Sequence, residues 1–445
     1  MGNFKRYLIT SLFAFVFSCV TLTAQEIDFS GNLTAQAGVG LPNTHENSGK
    51  FLLGTTVFDG VLKSYIGDSM MYANGQFIFD ALAAQSSNGT ESLVSEDNHF
   101  ALKLKEAYFD YNGGWWALRA GRQISAWGKA DDIQITDILC PQDCSNIIAA
   151  DYKESRLGID AIRLSLMQNS VQADDYWIPF FTPSTLPLGK GNPLKSIVFP
   201  SELDNVEMYF TGEPELNILN GEFAARVSTY FSAFDLSFYA FYGWDDEPFS
   251  RFDEDGGKTY LFQEYKRMGM IGVDAAIPVD AFVLRLEGAF FPFRYIQTNT
   301  DYQFYLLSSG IKPEGAKAHH QAIALAGFDW DAGNGFTVTA QYVADIVFGS
   351  DASIDELDRY RYQHEATLSI EKTLLNESLT LSAAGALDLC KFSSSVELSV
   401  DYSLSDSIKI SLIGDLFLEG PDNKEGLFGK YHDLSGLTLK GKISF

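Results

Sequence analysis

The sequence predicts an all-β protein, a transmembrane antiparallel β-barrel of about eighteen strands, and three observations predict it. Apolar residues recur at every second position over stretches of about ten residues, the period of a strand with one face in lipid. Short and long connections alternate along the chain, which sorts the turns to one end of a barrel and the loops to the other. Beyond the first two dozen residues, no segment offers the roughly 18 consecutive apolar residues that a spanning helix needs.

The chain begins "MGNFKRYLITSLFAFVFSCVTLTAQE", with Lys5 and Arg6 ahead of an apolar stretch from Leu8 to Val20 and small residues after it. This reads as a secretory signal peptide over residues 1–24, leaving 25–445 as a single barrel domain. A lipid anchor on Cys19 is the alternative. The abundance of Phe (35) and Tyr (21), with only 13 Pro, favours strands over helices. The formal charge is −26, and without the leader −28, which repels nucleic acid and excludes it as a partner.

Strands are expected at 26–40, 50–65, 69–82, 99–111, 114–124, 156–167, 171–180, 221–232, 234–243, 268–277, 281–292, 319–329, 335–347, 362–373, 377–388, 393–402, 407–418 and 434–445. The least regular are 171–180 and 393–402, and losing one hairpin would leave sixteen. In "IKISLIGDLFL" the residues Ile408, Ile410, Leu412, Leu416 and Leu418 share one face, and Lys409, Ser411 and Asp415 the other. Short turns fall at "GDS", "NGG", "QNS", "SAF", "PVD", "AGNG", "LNE" and "SDS". An even strand number puts both termini and every short turn on the periplasmic side, and the long loops outside. The doubled Trp115 and Trp116 after "NGG" mark a membrane boundary, with Trp116, Leu118 and Ala120 facing lipid and Ala117, Arg119, Gly121 and Gln123 facing the lumen. Arg122 breaks the outward face near the opposite rim, where its stem can snorkel toward water.

The last strand, "SGLTLKGKISF", alternates Leu437, Leu439, Gly441, Ile443 and Phe445 against Thr438, Lys440, Lys442 and Ser444. It resembles the terminal signature of Gram-negative outer-membrane barrel proteins. That resemblance implies outer-membrane lipid as surroundings and recognition by the barrel-assembly machinery through the strand ending in Phe445. "RAGRQISAWGKADD", with "TDILCPQD" and "DYWIPFF", is similar to porin-like outer-membrane proteins distantly related to alginate-export channels. The cysteines of "CPQDC" depart from that pattern, and no family ligand residue is carried over.

Inward-facing polar residues between apolar neighbours are the expected pore lining: Arg119, Arg163, Arg285, Glu287, Gln341, Asp345 and Lys409. The long loop 125–155, with Lys129, Asp131, Asp132 and Asp137, either folds inward as a constriction or covers the rim. Cys140 and Cys144, in an exported chain, suggest a disulfide that stiffens this loop, with free thiols or, less in keeping with the lack of a nearby histidine, metal binding as the alternatives. The loop 181–220 opens on Trp177, Ile178, Phe180 and Phe181, which suit either a hydrophobic or sugar-stacking mouth or an aromatic belt. His319 and His320 form the one histidine pair, without a "GxSxG" or "HExxH" beside it. The acidic loops lack calcium-loop spacing. No enzyme, cofactor or metal site is therefore expected. The function these features suggest is a channel for small polar or charged solutes, with a homo-oligomer possible. The alternatives are a transporter of hydrophobic molecules, or an adhesin or scaffold anchored by its barrel.

Overall fold

The structure, a computed structural model of the chain, describes residues 26–42, 46–86, 92–130, 133–150, 152–199, 206–215, 217–421 and 425–445. The expected signal peptide, with Cys19, and the loop residues Asp131 and Asp132 lie outside the described residues.

Eighteen antiparallel staves form the wall. They are β1 (Glu26–Gly40), β2 (Phe51–Ile66), β3 (Ser69–Asp80), β4 (Phe100–Asn112), β5 (Trp116–Gln123), β6 (Ile159–Gln168), β7 (Val171–Ile178), β8 (Glu222–Tyr230), β9 (Asp235–Trp244), β10 (Arg267–Val279), β11 (Phe282–Gln297), β12 (Ala316–Asp331), β13 (Phe336–Phe348), β14 (Tyr362–Leu374), β15 (Leu379–Asp388), β16 (Ser394–Ser405), β17 (Ile408–Leu418) and β18 (Gly436–Ser444). Each coincides with an expected strand to within five residues at either end. Each pairs with its neighbours in sequence, and β1 pairs with β18 from Asn32↔Ser444 to Gly40↔Gly436, so the sheet closes and leaves no unpaired edge. The ring of Phe445 seals this seam from outside, 6.0 Å from both Phe29 and Phe58.

Hairpins join the staves at one end. Asn169 and Asp280 sit at φ +55° and +52° in two-residue turns, the left-handed backbone that such tight connections demand. At the "NGG" turn, Gly114 has φ +88°, and a Cβ on Gly113 would collide with the Trp116 indole. Glycine is thus required beside the doubled tryptophan.

The opposite end carries the long connections, apart from the five residues 389–393 between β15 and β16. Short strands at 207–212, 249–255 and 258–264 form a separate sheet there, backed by the helix Thr300–Ser308 through Phe252 against Phe304.

Outward side chains such as Phe238, Ile271 and Leu398 stay more than half exposed, as a lipid-facing girdle must. Arg122 is an exception with a different solution from the one expected. It does not snorkel. It is 5% exposed and makes a two-pronged contact with Asp160, at 3.0 and 2.7 Å, across the β5–β6 pair.

Candidate pore and its inner loop

The inner wall has two chemistries. From β6 to β11 its long-loop end is apolar: Ile159, Tyr176, Ile178, Tyr239, Phe241, Met270 and Phe291 are buried in one cluster. The strands here carry apolar residues on both faces, since Ile162, Phe238 and Ile271 of the same staves point to lipid. From β14 through β18 to β4 the inner residues are mostly polar, among them Glu365, Glu397, Asp415, Lys440, Lys442, Asn74, Gln76 and Lys103.

The segment after β5 lies on the apolar half. Trp127 is fully buried among inward rings, 5.0 Å from Tyr239 and edge-on 6.0 Å from Tyr176. From there the chain reaches inner side chains of many staves. Lys129 and Ala130 donate their N–H groups to Glu287 Oε1 at 2.7 and 2.8 Å. Ile135 and Thr136 donate theirs to Oε2 at 3.0 and 3.3 Å. Ile133 N–H donates to Gln341 Oε1 at 2.9 Å, and Ala149 N–H to Asp415 at 3.1 Å. The Lys103 ammonium lies 2.6 Å from Asp143. Residues 124–130 and 133–150 therefore lie against the inner wall of the barrel, touching β4, β7, β9, β11, β13 and β17.

Charge fixes the loop as well as burial. Asp137 accepts from Trp127 N–H at 2.9 Å and from Arg156 Nε at 2.7 Å, and both side chains of this ion pair are almost wholly buried. Burial pushes the Asp137 carboxyl above its usual range, against the pull of that amide and of Arg156. Asp143 is also buried, which alone would raise it, but the Lys103 ammonium and the Ser145 donors outweigh burial and hold it below the usual range. A depressed carboxylate stabilises the folded state above its unfolded pKa. That contribution disappears only as pH falls through the lower folded value, so the Lys103–Asp143 pin outlasts ordinary aspartates on acidification.

The expected disulfide is absent. Cys140 and Cys144 are both free. Cys140 is buried in the apolar cluster, where its Sγ lies 3.2 Å from the Ser125 N–H, while the Cys144 thiol faces the Gln142 carbonyl. Burial pushes both thiols up to about 12.

Most of the residues expected to line the pore are engaged by partners. Arg119 pairs with Asp110 at 2.5 Å and stacks on Tyr108. Arg163 lies 3.6 Å from Asp174, which is shared with Arg226 at 2.6 Å. Arg285 pairs with Asp329 at 2.5 Å and also donates to the Lys129 carbonyl. Asp345 accepts from Gln321 and pairs with Arg359, and Lys409 pairs with Asp401 at 3.1 Å. Glu287 is 4% exposed and Gln341 5%, so they face the loop rather than open lumen. Lys129 extends toward Asp235 and the ring of Tyr230 near the short-turn end.

Open space remains along the polar half. One chamber of about 420 Å³ is bounded by Lys103, Lys105, Lys153, Lys440 and Lys442, with Asp59 held by Asn74 and Gln76. A second, of about 380 Å³, is bounded by Glu365, Glu397 and Asp415, with Lys153 again at its border. Sequence reasoning did not single out Lys103, Lys105 and Arg226, although the alternation of "ALKLKE" marks the two lysines. Beside them the β3–β4 register slips between Asn74 and Gly75, so Lys105 and Glu106, neighbours in sequence, both find inner partners.

The aromatic mouth is divided. Phe181 packs 4.9 Å from Tyr265 and 6.3 Å from Trp244, and Ile178 is buried inside the barrel.

No family model matches the chain, and neither does any curated protein. Among solved structures, OccK8 (OprE) of Pseudomonas aeruginosa aligns with a TM-score of 0.53 at 9% identity, covering 95% of this chain and 98% of that one. OccAB3 of Acinetobacter baumannii aligns at 0.50 and 10% identity over 94% and 98%. OccK2 (OpdF) of Pseudomonas aeruginosa, solved in complex with glucuronate, aligns at 0.50 and 8% identity over 94% and 97%. At these identities the likeness establishes the fold, a closed transmembrane β-barrel.

Proposed function

We propose that this chain is an outer-membrane diffusion channel for small polar and charged solutes, that residues 125–155 narrow its lumen, and that the solute path follows the polar half of the wall. The observation that carries this reading is the pair of chambers left beside the inner loop, one lined by five lysines with Asp59, Asp143 and Glu154 and one by Glu365, Glu397 and Asp415 with Lys153. Size is selected by the loop. Orientation comes from the field between the two walls, which acts on a solute in a space with low-dielectric sides. Lysines rather than arginines supply the positive side of this field: Arg119, Arg163 and Arg285 lie against acids, whereas Lys440 and Lys442 make no ion pair among the described residues. The chain performs transport without bond-making chemistry. Assembly through the terminal strand and Phe445 belongs to the same proposal.

A hydrophobic transporter is less well supported, because Phe181 is committed to packing and the chambers carry charge. Purified barrel in planar bilayers is expected to give stepwise ion current, partly blocked by glucuronate as an anionic probe of the lysine wall. Folded protein that inserts and never conducts would overturn the channel reading.

A further inference from the structure

Residues 127–130 and 133–136 gather around one carboxylate. Glu287 Oε1 accepts the N–H groups of Lys129 and Ala130, and Oε2 accepts those of Ile135 and Thr136 together with the Thr136 hydroxyl. Two pairs of adjacent amides, Lys129 with Ala130 and Ile135 with Thr136, converge on one anion, as the backbone amides of a concave nest converge on a free one. Here the anion is the protein's own side chain, supplied from β11 across more than a hundred residues of sequence. Gly128 makes the nest possible for two reasons. Its φ is +88°, and a Cβ there would lie 2.8 Å from Glu287 Oε1 and 3.1 Å from Thr136 Oγ1.

The neighbouring contacts act in the same direction. Arg285, two residues before Glu287 on the same inner face, donates to the Lys129 carbonyl, and Gln341 accepts from Ile133 N–H. Without the carboxylate, four buried N–H groups would lose their acceptor together, in a place where water cannot fully replace it.

We propose that Glu287 is a positioning residue, the clasp that holds residues 128–130 and 133–136 against the β11–β13 wall and so sets the width of the pore. The width half of this statement rests on the channel reading. The clasp half does not.

Two variants attack the nest from opposite sides. Glu287→Gln keeps the volume of the side chain but turns one acceptor into a donor that faces N–H groups. Gly128→Ala leaves the carboxylate in place and obstructs the loop. Heat-dependent electrophoretic mobility identifies the barrels that have folded. Hydrogen exchange on the folded barrels is expected to accelerate roughly tenfold or more over residues 129–136 in both variants, because hydrogen bonds to a charged acceptor contribute on that scale. Exchange in the staves should stay unchanged, and bilayer conductance should rise and become noisier. Parent-like exchange over 129–136 in both folded variants overturns the clasp. Faster exchange with unchanged conductance overturns the statement about width. If the parent itself is silent in bilayers, the channel reading falls and the exchange result still decides the clasp.

Discussion

The apolar and polar halves of the inner wall are made of the same antiparallel strand, yet they do opposite things. On the apolar half, Ile159, Tyr176, Tyr239 and Phe291 face inward and Ile162, Phe238 and Phe290 face lipid, so these strands are hydrophobic on both sides. An inner surface of that kind cannot be left to water, and Trp127, Leu139 and Cys140 cover it. On the polar half, Glu397, Asp415 and Lys440 alternate strictly with Leu398, Leu416 and Leu439, and the space in front of them stays open. The difference shows that a barrel can use one side of its lumen as a core and leave the other open. What separates the two is whether its strands are amphipathic.

The largest effect is expected at the centre of the apolar half. Trp127→Ala removes a fully buried indole from between Tyr176 and Tyr239 and should destabilise the seated loop by about 3–5 kcal/mol. Calorimetry of the detergent-solubilised barrel checks this, and an unshifted transition would mean that the apolar half does not seat the loop.

The converse test lies in the polar half. Replacing both Lys440 and Lys442 with Ala should change stability by no more than about 0.5 kcal/mol per site. The reversal potential in a salt gradient should nevertheless move toward cation selectivity, since carboxylates would then face a neutral wall. Arg163→Ala, whose partner Asp174 keeps Arg226, should move it less. A larger shift from Arg163→Ala than from the lysine pair would reverse the assignment of the field.

The smallest expected effect sharpens the boundary between loop and solvent. Thiols pushed up to about 12 by burial are protonated at pH 8, so Cys140 and Cys144 should resist alkylation there while exposed Cys390 reacts. After unfolding, all three should label. Labelling of Cys390 alone after unfolding would restore the disulfide.

The eighteen staves were legible because lipid on one side forces a two-residue period, and the turns were legible because only a few residues accept a tight hairpin. Arg163, Arg285 and Lys409 were recognisable as inward residues by the same parity. The seat of the loop was not, since parity says which face a residue occupies and nothing about what covers that face. A signal was nonetheless present in "DLSFYAFYGW", whose two faces are both aromatic. Spacing also left the two cysteines open: four residues permit a bond, and here Cys140 and Cys144 stand as free thiols, Cys140 against the Ser125 amide.

By itself, then, the sequence determined the strand count, the sidedness of the loops and the lining parity, all of which follow from local alternation read against a fixed solvent. Only the tertiary structure decided which lining residues remain available. Glu287, Arg285 and Gln341 carry the right polarity at the right parity to face a pore, yet they serve the loop. Their partners lie more than a hundred positions away in the chain, and a contact at that separation exists only once the barrel has closed around it.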